Sequence, residues 1–235
     1  MSDRFRGKIA LIAGGTGGLG RAVTLAFLRE GATAHVTYRS DEEFSALQQL
    51  AGDAATSLHG HRADVTFDPE TADLLRNIGR VDILINAVGA YAGGTPLWET
   101  SLPVFGQMMS LNVQSGFVLL RNAVPAMLAQ GSGAIVNISS RSAVDHAAGA
   151  SAYAASKSAA LAMTDSLAAD LKGTGIRVNT ILPSIIDTAA NRKAMPSADF
   201  TKWPKPEEIA AVILFLSSDD AKLIHGAAVP VYGNN

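Results

Sequence analysis

The stretch Ile9-Ala10-Leu11-Ile12-Ala13-Gly14-Gly15-Thr16-Gly17-Gly18-Leu19-Gly20 decides the fold of this chain. Its apolar half does not alternate with polar residues, so it predicts a strand buried on both faces. Its glycine half leads directly into a helical pattern over 18–30. Glycines permit a tight strand-to-helix turn and let the backbone come close to a bound group. The exposed N–H groups and the dipole at the helix start stabilise negative charge there. A glycine cluster elsewhere would be only a flexible turn. Between the first strand and the first helix it stands where a dinucleotide's pyrophosphate is held. Gly14, Gly18 and Gly20 follow the spacing G-x-x-x-G-x-G, and Thr16, Gly17 and Leu19 complete the turn.

The same rhythm continues outward. Thr33–Tyr38, Val81–Asn86, Ala134–Ser139 and Arg177–Leu182 predict further buried strands, with Leu58–Ala63 weaker and Ala228–Tyr232 a short last one. Helical patterns lie near 41–51, 68–78, 101–130, 151–172 and 206–217. Strand alternating with helix predicts an α/β, Rossmann-type, doubly wound parallel sheet of about seven strands with helices on both faces. No linker or composition break interrupts it, so 1–235 reads as one domain. The irregular stretch 183–206 follows a strand end and predicts a substrate loop or lid.

Composition narrows the function classes. The chain has 235 residues, a hydrophobic fraction of 48%, a net charge of −2 and no cysteine. Disulfides, thiolate metal sites and cysteine nucleophiles are therefore excluded. No basic run marks a nucleic-acid partner, and no apolar stretch reaches the roughly 18–20 residues that cross a bilayer. Met1–Gly7 is polar and predicts no secretory signal, so a cytoplasmic location is expected. His59 and His61 share a strand face without a third ligand, and no metal is expected.

Other residues at strand ends point to the same kind of ligand. Tyr38 occupies the slot where an acidic residue would bind the adenosine ribose, and Arg39 follows it. A guanidinium there suits a 2′-phosphate, which predicts NADP, with NAD as the alternative. Asp64, followed by Val65, is placed for the adenine edge, and Asn86, Ala87 and Gly89 for the cleft. Tyr153 and Lys157 are four apart on one helix and share a face. An ammonium beside a phenol favours the phenolate, so the Tyr153 pKa is predicted to fall toward a useful range. Ser140 ends a strand at the same sheet edge, where its hydroxyl would polarise a carbonyl. Asn112, a poor helix former among apolar neighbours, is expected either to hold a water linked to Lys157 or to be an ordinary satisfied amide.

On Gly14, Gly18, Gly20, Asp64, Asn86, Gly89, Asn112, Ser140, Tyr153 and Lys157, the chain resembles the short-chain dehydrogenase/reductase family over nearly its whole length. Ser140 precedes Tyr153 by the family's interval, and Pro183, Ile186 and Thr188 resemble the segment that closes over the nicotinamide. Ala13, Ala87 and Ser184 depart from the family's usual Thr, Asn and Gly. Gly17 stands where many NADP-preferring members carry a basic residue, so Arg39 is the one basic candidate for the phosphate. The resemblance implies NADPH-dependent reduction of a ketone or aldehyde, similar to that of a 3-oxoacyl reductase, by a homo-oligomer built through helices 101–130 and 151–172.

Tyr91, Arg141, His146, Ile185, Arg192 and Trp203 are the expected substrate walls. The segment 187–203 also resembles a loop of dihydropteridine reductase, a divergent relative. An NAD-dependent alcohol dehydrogenase, a pterin reductase and a non-catalytic nucleotide sensor therefore stay open as alternatives.

Overall fold

The structure is a computed structural model that describes residues 3–234. Seven strands are present: β1 (Ile9–Ala13), β2 (Thr33–Tyr38), β3 (Leu58–Arg62), β4 (Ile83–Asn86), β5 (Gly133–Ile138), β6 (Ile176–Pro183) and β7 (Ala228–Val231). They form one sheet in the order β3-β2-β1-β4-β5-β6-β7, with every pairing parallel. The strand order reverses between β1 and β4, and in such sheets the crevice at that point, beyond the strands' carboxyl ends, is where ligands bind.

Both faces of the sheet are buried, which explains why the central strands lack alternation. Ala10, Ile12, Val36, Ile83, Ile85 and Val136 pack against helices α1 (Gly18–Arg29) and α8 (Pro206–Ser217). The intervening residues Leu11, Leu84, Ile135 and Val178 pack on the opposite side. That side is covered by α3 (Asp68–Ile78), α5 (Ser115–Gln130) and α6 (Ser151–Asp170). Helix α2 (Asp41–Ala51) flanks the β2–β3 edge.

Two predicted stretches differ in detail. The single helix expected over 101–130 is divided into α4 (Leu102–Met109), a π-helical turn Ser110–Gln114, and α5. Asn112 lies in that turn with its side chain buried, and such π turns recur where a side chain is redirected to a site. The stretch 183–206 is not irregular throughout. It contains α7 (Ala189–Ala194), capped by Thr188, whose hydroxyl accepts from Asn191 N at 3.2 Å, and a 3₁₀ turn Phe200–Lys202. Among the described residues no helix is long and apolar enough to cross a membrane.

Candidate active site

The glycine turn closes because side chains there are impossible. Gly14 adopts φ +74°, and a Cβ on Gly20 would lie 2.1 Å from the Gly14 carbonyl oxygen. Thr37, on β2, fixes the turn further by accepting from Gly14 N at 2.9 Å. The residue before α1, Gly17, offers no side-chain cap, so the first N–H groups of the helix are left to bond an anion. The side chain of Leu19 is buried, and that residue presents its backbone. Thr16 donates from its hydroxyl to the Glu43 carboxylate at 3.0 Å, which brings an acidic group over the turn.

At the adenosine end, Arg39, His61, Arg62, Asp64 and Glu70 line a cleft of about 810 Å³. Tyr38 also lines this cleft and stacks on Phe44 of α2, with centroids 4.7 Å apart. Asp64 accepts from Thr66 N and Oγ1 at 2.9 and 2.7 Å, and these bonds, with the Arg39 charge, hold its pKa below the ordinary carboxylate value. Val65 is buried in the core, and its side chain does not line that cleft. A third histidine joins the expected pair. His35 Nδ1 lies 2.9 Å from His61 Nε2, and burial with the neighbouring imidazoles lowers the His35 pKa to about 4. Still, among the described residues no group of three or more His, Cys, Asp or Glu is arranged to hold a metal ion.

The far end of the cleft is buried and closely braced. Asn86 and Asn137 are register partners on β4 and β5, and Asn86 Nδ2 donates to Asn137 Oδ1 at 3.0 Å. Asn86 Oδ1 accepts from Val88 N at 3.3 Å, which shapes the loop that carries Ala87 and Gly89. That bond fixes the Asn86 amide, so Asn137 must present its oxygen and its Nδ2 is left without a partner. Ala87 N donates to Ala13 O at 3.0 Å, and a Cβ on Gly14 would meet the Ala87 carbonyl. Pro183 ends β6 opposite Val231, and Ile186 packs against the core. The Thr188 methyl faces Gly18 so closely that a Cβ there would lie 2.9 Å away.

Ser140, Tyr153 and Lys157 meet at this end. Ser140 caps the 3₁₀ turn Arg141–Ala143 and accepts from Ser142 N at 3.1 Å. Ser139 Oγ donates to Lys157 O at 2.9 Å and pins α6 to the end of β5. Lys157 Nζ donates to the Ile138 carbonyl at 3.1 Å and would lie 3.1 Å from a Cβ on Gly89. Burial alone lowers its pKa to about 8.

The expected fall in the Tyr153 pKa is not what the structure gives. Burial raises it, the Ser140 hydroxyl bonded to the phenol opposes that shift, and nearby Tyr91 adds to it. Lys157 Nζ stands 6.0 Å from the centre of the Tyr153 ring, and its charge is not among the causes of the shift. The phenol therefore holds its proton at neutral pH.

Asn112 also differs from the water-holding reading. Its Nδ2 donates to Ala90 O at 3.0 Å and Ser156 Oγ at 2.9 Å, and its Oδ1 accepts from Ala90 N at 2.9 Å. The side chain is filled by protein partners and braces the loop above Gly89. On the substrate side, Tyr91 meets Tyr153 edge to face at 4.9 Å. Arg141 pairs with Asp145, and His146 lies 3.5 Å from Ser158 Oγ. Trp203 stands apart from this group. It is buried, packs on Phe200 at 5.0 Å, and lines a separate cavity of about 550 Å³ with Lys202, Ile209 and Val231. Glu43, Asn137, Asp145 and Tyr232 were not singled out from sequence. Only Asp145 carried a local signal, as the fourth residue after Arg141.

Residues 8–199 match the family model described as short chain dehydrogenase. The chain belongs to the short-chain dehydrogenase family. It is 31% identical to a 3-oxoacyl-[acyl-carrier-protein] reductase of Thermotoga maritima, covering 98% of each chain. It is 34% identical to a D-threitol dehydrogenase of Mycolicibacterium smegmatis, covering 98% of this chain and 93% of that one. A solved structure of ElxO with NADP bound superposes with a TM-score of 0.90 at 26% identity, covering 96% of this chain and 97% of that one. This short-chain dehydrogenase is thus an oxidoreductase that works between alcohol and carbonyl groups.

Proposed function

We propose that the protein reduces a ketone or aldehyde to an alcohol with NADPH. The observation that carries this reading is the meeting of Ser140, Tyr153 and Lys157, with the Ser140 hydroxyl bonded to the phenol and Lys157 Nζ 6.0 Å from the ring centre. The cradle suits a dinucleotide, with uncapped N–H groups at α1 for the pyrophosphate, Arg39 and Asp64 at the adenosine end, and the bare face of Gly89 under Lys157. A nicotinamide held there supplies the hydride. Ser140 donates a hydrogen bond to the substrate carbonyl oxygen and localises negative charge on it. Tyr153 then passes its phenolic proton to that oxygen, leaving a phenolate that the Lys157 charge stabilises. Lys157 also reaches the ribose, while Asn112 positions the 89–90 loop. The 183–206 segment, seated on Gly18 through Thr188, closes the cleft.

Tyr153→Phe tests the reading. The variant is expected to bind NADPH with near wild-type affinity while kcat falls by about 10²–10⁴-fold. Turnover within tenfold of wild type overturns the assignment. A second reading, NADH in place of NADPH, is favoured by Glu43, whose carboxylate over Thr16 disfavours a 2′-phosphate. Parallel titrations with both cofactors decide, and equal or tighter NADH binding sinks the NADP assignment.

We also propose a homo-oligomer. Trp98, Leu102, Phe105 and Phe117 expose apolar surface on and beside α4 and α5. Sedimentation that finds only monomer at working concentration overturns this.

A further inference from the structure

The substrate side of Tyr153 is bounded by the loops after β4, β5 and β6, and the guanidinium groups there are already matched. Arg141 directs Nε and Nη2 to Asp145 Oδ2 at 2.9 and 2.8 Å, and its charge lies 5.2 Å from the centre of the Tyr232 ring. Tyr232 is tethered in turn by Ser184 Oγ, which donates to its carbonyl at 2.8 Å. Arg192 places two nitrogens on the Asp187 carboxylate and lies 4.8 Å from the centre of the Phe200 ring. Each cation therefore has both a carboxylate and an aromatic face.

Beside the exposed His146, three apolar side chains on these loops are open to a ligand. Tyr91, Val144 and Ile185 are 67%, 53% and 42% exposed. Tyr91 is also held in place. Its ring meets Tyr153 at 73°, and its hydroxyl lies over Gly93, where a Cβ would come within 2.3 Å of it. Gly94 N donates to Gly149 O at 2.8 Å and joins this loop to the one that carries Val144. A fixed aromatic wall beside a proton donor binds a flat apolar body well, because it loses little freedom on contact.

We propose that the substrate is an uncharged carbonyl compound with a flat apolar body, a cyclic or aryl ketone, seated on Tyr91. Asp145, by neutralising Arg141, makes the site select against carboxylate- or phosphate-bearing carbonyls. An anionic substrate must either share Arg141 with Asp145 or exchange one ion pair for an equal one, and in both cases the Asp145 charge stays beside its own. The proposal rests on the reading that Ser140 and Tyr153 are the reacting pair.

The test uses matched flat probes, methyl 4-acetylbenzoate and its free acid, followed by NADPH loss in wild type, Tyr91→Ala, Asp145→Asn and Tyr153→Phe. Wild type is expected to favour the ester by about 10-fold in kcat/KM. Tyr91→Ala lowers kcat/KM for the ester relative to acetone by about 10-fold, chiefly through KM. Asp145→Asn raises the acid-to-ester ratio by about 5-fold. A wild-type preference for the acid, or an unchanged ratio in Asp145→Asn, overturns the proposal. Calorimetric titration of both probes into the NADP-loaded protein reads the same preference without turnover, and tighter binding of the acid there also overturns it. Full turnover in Tyr153→Phe strikes instead at the identity of the reacting pair, so the two failures are distinguishable.

Discussion

The two ends of the cleft are built on opposite principles. At the end where Tyr153 stands, Asn86, Asn112, Asn137, Ser140 and Lys157 are all buried, and each is hydrogen-bonded to a neighbour on β4, β5, α6, the π turn or the loops beside them. At the adenosine end, Arg39 and Asp64 are exposed, and Glu43 reaches the glycine turn through one surface hydrogen bond. Buried polar groups must satisfy one another, so each fixes the next within a few tenths of an ångström. Exposed charges are screened by water and ions and are free to rearrange. Chemistry demands the first kind of construction. Cofactor choice tolerates the second, and for that reason it changes readily with single substitutions.

The sharpest way to break this contrast is to place a side chain on a glycine at each end. Gly89→Ala directs its Cβ to within 2.8 Å of Asn112 Oδ1 and 3.1 Å of Lys157 Nζ, and neither group has room to retreat. Steady-state assays are expected to find kcat lower by about 100-fold, the scale of a catalytic group displaced by about 1 Å. A drop of less than about fivefold would show that this end is as yielding as the other.

Gly17→Lys is the counterpart. Gly17 has φ −66°, and a Cβ there meets only the Gly14 carbonyl oxygen at 3.4 Å, an ordinary contact. The protein is expected to fold, with a loss of about 0.3–1 kcal/mol from a cation at a helix start. NADPH affinity relative to NADH should rise by about 5–10-fold through attraction of the 2′-phosphate. The smallest change, Glu43→Gln, removes the carboxylate over Thr16 and should move the same ratio in the same direction by about 2–5-fold. Ratios that fall in either variant would place the 2′-phosphate away from the glycine turn, and fluorescence titration of both cofactors reads the outcome.

Legibility in the sequence followed the same division. The sheet was readable because buried parallel strands are uniformly apolar, and the glycine turn because no side chain fits at Gly14 or Gly20. The Tyr153 and Lys157 pair was readable because helix geometry places residues four apart on one face, and Ser140 because it follows a strand end at the same sheet edge. The π turn at Ser110–Gln114 was not, since its period differs from an α-helix by a single residue and the partner of its buried Asn112, Ala90, is distant in the chain. Trp203 was misplaced because an aromatic residue in a loop packs inward as readily as it lines a site, and here Phe200 and the start of α8 cover it.

By itself the sequence determined the succession of strands and helices, the glycine turn and the pairing of Tyr153 with Lys157 on one helix face, all of which depend on local spacing. Tertiary structure alone decided the direction of the Tyr153 pKa shift, the placing of the Tyr232 ring beside the Arg141 guanidinium, and the approach of Glu43 to Thr16. Most of these depend on groups distant in the chain, and all depend on how deeply each group is withdrawn from water. Electrostatic energies vary steeply with distance and burial, and neither quantity is written in the order of the residues.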